Sequence, residues 1–588
     1  MFLLLFLGIT MLLNTTAVPA QHKLNNATFQ EICTEYWQFL IHEFPDLATS
    51  VGDHRQNDRW SDFSLEGIQK RNEKFNHFHQ RLKQVNKSTL SDSNAVSYDL
   101  LEAEITEQIS RFLYKDHYVM VVHPLLGFAQ IPSVFEMMPL QTINDYKVVL
   151  ARIKALVPVV DQIISLLEQG LQEHITLPQI VLAKIPSHFE NYASAVVEKN
   201  PFFYAFKSMP QNIDKEDQTM LLFEAETILI DDIVPAMRKL CEYISDVYIP
   251  ACRQSIAWSD LPNGTKWYQE YVRICTNTNL TPEEIHQIGL NEVHRIKQAM
   301  TAIMQELNFD GDLAAFYEYL RTQEKFFCES KESLLATIAT INACIDTHFL
   351  EVFLHHPKIS CKVEAVPAHD EELSVGAFYR PGSVADNRPG IFFVNAHNLK
   401  SLPTWELEAL CLHEMVPGHH LQISRAQELE LPDFRKYGPI GFGSTAFIEG
   451  WGLYSENLGT ELGLYKNPYA RFGKLTYEMM RAVRLVVDTG MHALGWSRQE
   501  ALDYFRDLTG IAHDEAATEI DRYISWPGQA LAYKIGELKI KELKAGAQEH
   551  LQEQFDIREF HELVISQGSV SLGVLEKMVK NWVTQKQK

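Results

Sequence analysis

Apolar residues recur along most of this chain at intervals of three and four, the period of a helix with one buried face, and alternating patterns are rare. The clearest case begins at Thr281-Pro282-Glu283-Glu284, which supplies an N-cap, a proline at the first helical position and an acidic capping-box partner. Ile285, Ile288, Val293, Ile296, Met300, Ile303 and Leu307 then mark its apolar face. The same period predicts helices over 27–43, 92–113, 144–169, 217–245, 329–354, 404–416, 467–494 and 498–508. One region departs from it. Between residues 360 and 399, Val375-Gly376-Ala377-Phe378-Tyr379 and Ile391-Phe392-Phe393-Val394-Asn395 flank a cluster of Pro, Gly, Asp and Asn, which is the signal of a β-hairpin. The expected fold class is mainly α, with one small hairpin or sheet just before the helix at 404–416.

Length and charge narrow the picture. At 588 residues the chain exceeds what one core ordinarily supports, so it reads as one large helical body or as two subdomains, about 21–280 and 281–588. Fifty-three basic against 76 acidic side chains give a formal charge of −23, which argues against nucleic acid or an anionic membrane as the main partner. Residues 1–13 form an apolar run too short to span a bilayer, and Val18-Pro19-Ala20 offers small residues for cleavage. Residues 1–20 are thus expected to be a signal peptide, although no Lys or Arg precedes Lys23. A secreted or periplasmic protein, not integrated in the membrane after cleavage near Ala20, is the consequence. No later segment reads as transmembrane. The eight cysteines lack Cys-x-x-Cys spacing, which speaks against a cysteine zinc site; in an oxidising compartment Cys241 with Cys252 and Cys328 with Cys344 are candidate pairs, but sequence does not fix the connectivity.

The chemistry concentrates in His413-Glu414-Met415-Val416-Pro417-Gly418-His419-His420-Leu421-Gln422. In a His-Glu-x-x-His helix the two histidines share a face and one metal, and the Glu acts on water. Here Pro417 occupies the second histidine's slot, and Pro417-Gly418 predicts a kink or bulge before His419. His420 has the helical phase of His413 but lies far along the axis, while His419 needs a bulge to be re-aimed; both are candidate ligands. Glu449, thirty-six residues after His413, is the candidate third ligand, and Glu456 falls on the same helical face, where it could orient a histidine. Glu414 is then the candidate general base. Near the C-terminus, Arg522, Tyr523, Gln529 and Tyr533 surround a Pro527-Gly528 break. Tyr523 and Tyr533 are candidate oxyanion donors, with Tyr533 preferred; Arg522 and Gln529 are candidate substrate contacts, Arg522 for a carboxylate. Arg484, Asp488 and His492 lie at four-residue steps, so that Asp488 is placed to aim a catalytic His492. On the hairpin, Tyr379 is a candidate substrate contact, because extended peptides bind edge strands.

Together HEMVPGHHLQ, FIEGWGLYSE and RYISWPGQALAYKIG, preceded by RPGIFFVN, resemble the bacterial family catalogued as domain of unknown function 885, over about residue 27 to the C-terminus. Its members look like helical gluzincin-type metallopeptidases, similar in plan to the thimet oligopeptidase and angiotensin-converting enzyme groups. The resemblance implies a deep cleft, one zinc ion held with Glu449 as third ligand, and His419 aligned with the second histidine across a two-residue insertion. The function expected is hydrolysis of short peptides by metal-activated water. The alternatives are a metal-dependent amidohydrolase acting on a non-peptide substrate, and a secreted binding protein with a degenerate site.

Overall fold

A computed structural model describes residues 7–366, 376–384, 387–437 and 443–588. The chain is mainly helical, and its described residues fold into two compact units. The first comprises the chain up to Thr176, Leu182–Ala251 and Leu431–Gly441; the second comprises Leu177–Val181, Cys252–Glu430 and Phe442–Lys588. The main break therefore falls at Ala251, some thirty residues before the boundary expected near 280, and a later segment returns to the first unit. Contact among distant segments sets that boundary, and composition carries no trace of it.

In the first unit, α1 (Leu7–Glu43), α2 (Leu65–Lys83) and α3 (Asp92–Leu113) pack around an aromatic core in which Tyr36 meets Phe75, Phe78 and Phe434. Of the expected signal peptide, residues 1–6 lie outside the described residues, and the backbone of 7–20 belongs to α1. The helix expected over 144–169 is two, α4 (Ile143–Lys154) and α5 (Leu156–Gln172), interrupted at Ala155.

The second unit is built on α6 (Pro282–Glu306), whose Thr281–Glu284 capping box forms as the sequence predicts. It also holds α7 (Lys331–Val352), a helix long and apolar enough to cross a membrane by length and composition alone. Leu334, Ile338, Ile345 and Phe349 of α7 are nevertheless buried within the unit, against the sheet and the histidine helix. The sheet has three strands in the order β1 (Cys361–Ala365), β3 (Gly390–Val394), β2 (Ala377–Arg380). β2 and β3 form the expected antiparallel hairpin, and β1, which the pattern does not reveal, pairs parallel to β3. Val375 lies outside the described residues. β2 is an edge strand. Asn395 N–H donates to Gly376 O, so by antiparallel alternation Ala377 and Tyr379 turn their backbone groups away from β3.

After the sheet come α8 (Leu407–Glu414), α9 (His419–Glu428), α10 (Thr445–Glu456), α11 (Pro468–Ala493), α12 (Arg498–Thr509), α13 (His513–Ser525) and α14 (Ala532–Leu551). None of the eight cysteines is in a disulfide, so neither candidate pair forms: Cys241 Sγ approaches Pro186 O, and Cys328 Sγ faces Thr337.

Candidate metal centre

The helix expected over 404–416 ends at Glu414, and Met415–Gly418 loop out before α9 begins at His419. His420 N–H reaches back to Met415 O, and Trp451 Nε1–H donates to Pro417 O at 2.8 Å, which pins the loop against α10. The bulge turns His419 toward His413. Their rings meet edge to face, with centroids 4.8 Å apart. Both Nε2 atoms approach the same oxygen of Glu449, His413 at 3.6 Å and His419 at 3.5 Å. One donor atom from each of the three residues lies within 4.8 Å of the others.

The two nitrogen–oxygen separations exceed hydrogen-bond length and are close to those of ligands sharing an ion. Tetrahedral bonds of roughly 2.0–2.1 Å place donor atoms about 3.3–3.4 Å apart. Two imidazole nitrogens and a carboxylate oxygen also form a donor set suited to a borderline-soft divalent cation. The residues present therefore fit a bound metal.

α10 holds His413 along one face. Glu449 meets Nε2, and Glu456, fully buried one heptad on, meets Nδ1 at 2.8 Å. Between them a Cβ on Gly452 would stand 2.8 Å from the His413 ring, so only glycine lets the imidazole lie flat on the helix. Burial opposes charge on His413, but the adjacent Glu449 and Glu456 carboxylates override it and raise the ring to about 9. Burial likewise works against the Glu449 carboxylate, and the two histidines hold it well below the usual carboxylate range. Glu456 accepts from Nδ1–H and fixes the orientation of His413, so that Nε2 is the nitrogen turned toward Glu449.

His420 points elsewhere. Its Nε2 donates to Ile359 O at 3.1 Å, and its Nδ1 accepts from the Tyr379 hydroxyl at 2.9 Å. Burial keeps it neutral, its pKa lowered to about 4. It is a structural tie between α9 and the sheet, because the looped residues rotate α9 out of register with α8. Glu414 is half-buried at the end of α8, and its carboxylate accepts the outward Tyr379 N–H of β2 at 3.0 Å. The candidate base and the edge strand thus face one another.

Tyr533 comes to the centre through a helix crossing. A Cβ on Gly536 would stand 1.8 Å from Ala446 O, and one on Gly450 would stand 2.5 Å from Gly536, so α10 and α14 meet backbone to backbone. That contact sets Tyr533, one turn before Gly536, beside Glu449; burial and then the Glu449 charge push its hydroxyl upward. The phenol accepts from Gln529 Nε2 at 3.5 Å and keeps its own proton.

Three other expectations are overturned. The Tyr523 hydroxyl is not open to a substrate: it donates to Glu519 and accepts from Arg484 Nε at 2.7 Å. Arg522 pairs with Glu519 at 3.0 Å and with Gln529 Oε1 at 2.8 Å, which occupies both proposed substrate contacts. His492 is not aimed by Asp488. Its Nδ1 accepts from Trp258 N–H and its Nε2 donates to Tyr523 O, while Asp488 accepts from Tyr268 and from Gly528 N–H. Apart from the Tyr268 hydroxyl, these contacts run to backbone, so His492 and Asp488 position the Trp526-Pro527-Gly528 break. Arg481 carries no motif in the sequence, although it follows Tyr477 by four residues and precedes Arg484 by three on a buried helix face.

Over residues 45–579 the chain matches the family described as "Bacterial protein of unknown function (DUF885)". The chain belongs to this family. Among solved structures, the family member is similar to a candidate lipoprotein from Colwellia psychrerythraea, 26% identical with a TM-score of 0.88, covering 96% of this chain and 100% of that one. It is similar too to a candidate lipoprotein of unknown function from Shewanella oneidensis, 15% identical with a TM-score of 0.72 over 94% and 99% of the two chains. The second likeness shows a shared fold. A search of the curated proteins finds no match.

Proposed function

We propose that this DUF885 protein is a zinc-dependent hydrolase of short peptides. The observation that carries the reading is the convergence of His413, His419 and Glu449 on one point, with Glu414 beside it and Glu456 behind it. When bound there, zinc would polarise a peptide carbonyl and lower the pKa of water. Glu414 is the residue placed to take the proton of the attacking water as the new C–O bond forms, and to deliver it to the amine nitrogen as the C–N bond breaks. Tyr533 is placed to donate a hydrogen bond to the oxyanion that develops between these steps. A peptide substrate is favoured by β2, whose outward edge lies against Glu414 and offers backbone groups to an extended chain. Export is part of the same proposal, supported by the apolar N-terminal run and by the candidate lipoprotein from Colwellia psychrerythraea.

Purified full-length protein should carry about one zinc per chain by elemental analysis and should hydrolyse short peptides. Glu414→Gln should keep its metal and lose about 10²–10⁴ in kcat. Activity surviving in a zinc-loaded Glu414→Gln protein, or wild type that takes up no metal, defeats the proposal.

A further inference from the structure

Next to the candidate metal centre lies a group of buried arginines with more positive charge than their partners neutralise. Arg481 and Arg484 project from α11, only 7% and 6% exposed, and their guanidiniums lie over the Tyr533 ring at 5.9 Å and 4.7 Å from its centroid. Arg522 adds a third guanidinium from α13. Glu519 is hydrogen-bonded to Arg484 and Arg522, and Glu456, already engaged by His413, stands 3.9 Å from Arg481 Nη2. Within ion-pair distance the three cations therefore meet two carboxylates, one of them shared with the centre, while Glu406 and Asp488 act on Arg481 and Arg522 from farther off.

The surplus is visible atom by atom. Arg484 spends Nε on Tyr523 and Nη2 on Glu519, and its Nη1 has no partner. Arg481 makes one hydrogen bond to oxygen, from Nη1 to the carbonyl of its own helix at Tyr477, beside the longer 3.9 Å approach of Nη2 to Glu456, and its Nε has no partner. Leaving a charged donor buried without an acceptor costs more than an ordinary hydrogen bond contributes. A conformationally fixed guanidinium with free N–H groups suits a planar carboxylate, which it can engage through two parallel bonds.

The position fixes what such a carboxylate belongs to. Arg481 is one side chain from His413 through Glu456, and both arginines touch the tyrosine that stands beside Glu449. An extended peptide advances about 3.3–3.6 Å per residue. An anion held at Arg481 and Arg484 therefore sits within one or two residues of a bond presented to the metal ligands.

We propose that Arg481 and Arg484 form a receptor for the free C-terminal carboxylate of the substrate, so that the protein removes one or two residues from the C-terminal end of peptides. The inference rests on the peptide-hydrolase reading above and adds the substrate's terminus to it. Tyr533 then has two neighbours to serve, the oxyanion and the terminal anion.

The test uses the zinc-loaded full chain and a peptide of five residues in three forms: free acid, C-terminal amide, and amide with Asp as last residue. Cleavage sites are read by mass spectrometry, and binding of each form to the Glu414→Gln protein by calorimetry. The free acid should be cut within two residues of its end, with kcat/KM at least 100-fold above either amide, and should bind at least tenfold tighter. Arg481→Gln and Arg484→Lys should each bring the acid-to-amide ratio toward one, chiefly through KM; thermal unfolding of both variants shows which of them folds. Equal binding and cleavage of acid and amide overturns the receptor while leaving the hydrolase standing. Recovery of the amide by its Asp side chain overturns the terminal assignment. Preferential binding of the free acid without hydrolysis of any form by wild type removes the hydrolase and keeps the receptor.

Discussion

Two adjacent histidines have opposite duties here, and the reason is the direction of each ring. His419 shares an oxygen of Glu449 with His413, whereas His420 spends both nitrogens on Tyr379 and Ile359. His419→Ala should therefore abolish stoichiometric metal in elemental analysis with little change in the urea midpoint. His420→Ala should do the reverse, keeping the metal while losing stability by about 1–3 kcal/mol for each buried partner left unsatisfied. Metal lost equally in both variants contradicts the assignment. Glu456 supplies a further check, because a carboxylate behind a ligating imidazole raises its basicity and fixes its orientation. Glu456→Gln should weaken zinc binding by about 10–100-fold in a competition with a chromophoric chelator. An unchanged affinity would mean that Glu456 serves only packing.

Among the elements, the crossing of α10 with α14 decides most, since it brings the helix of the candidate ligand Glu449 and the helix of Tyr533 into backbone contact. A methyl at Gly536 meets the carbonyl of Ala446 rather than a flexible side chain, so the helices must separate to admit it. Gly536→Ala is expected to destabilise the fold by about 1–3 kcal/mol in urea titration. It should also lower kcat by more than it raises KM, since Tyr533 recedes from the oxyanion position. A variant with wild-type stability would show that the two backbones are less close than described. The loop at Met415–Gly418 acts at the same scale: four residues removed from helical register convert a misplaced His419 into a neighbour of His413.

Across the whole molecule, buried neutral histidines tie distant elements together and make stability depend on pH. Nδ1 of His561 donates to Val352 O and Nε2 accepts from Tyr454 on α10, while His492 joins Trp258 to Tyr523. Burial lowers each of these two to about 3. Both folded values lie below the unfolded histidine value of about 6.5, so the unfolded chain binds more protons in the interval. Their contribution is present above about pH 6.5 and is lost as pH falls toward 3, at about 1.4 kcal/mol per pH unit for each group. Asp488, raised to about 7 by burial, and Glu406, raised to about 8, act with the opposite sign and lose stability as pH rises through those values. The informative quantity is thus a difference. His492→Asn should reduce the dependence of unfolding free energy on pH between 6.5 and 4.5 by one proton relative to wild type, measured by urea titration; an unchanged slope rejects the buried neutral histidine.

The sequence by itself determined the helical class, the Thr281 capping box, the hairpin of β2 and β3, and the set from which the candidate ligands come, because period, caps and residue chemistry are local properties. His413, Glu414, Glu449 and the supporting Glu456 were legible in this way, and the break at Pro417-Gly418 announced a bulge. Direction was not legible. Which of His419 and His420 turns inward depends on how far the loop rotates α9, and that is set by Trp451 holding Pro417 from another helix. Tyr523, Arg522 and His492 carry the right chemistry in sequence, yet neighbours on other helices occupy their polar atoms. Arg481 gained its significance from the same source, since an unpartnered guanidinium is a property of the packed surroundings. Residue type set what each group can do; only the tertiary structure decided which atoms were already satisfied and which were left free to act.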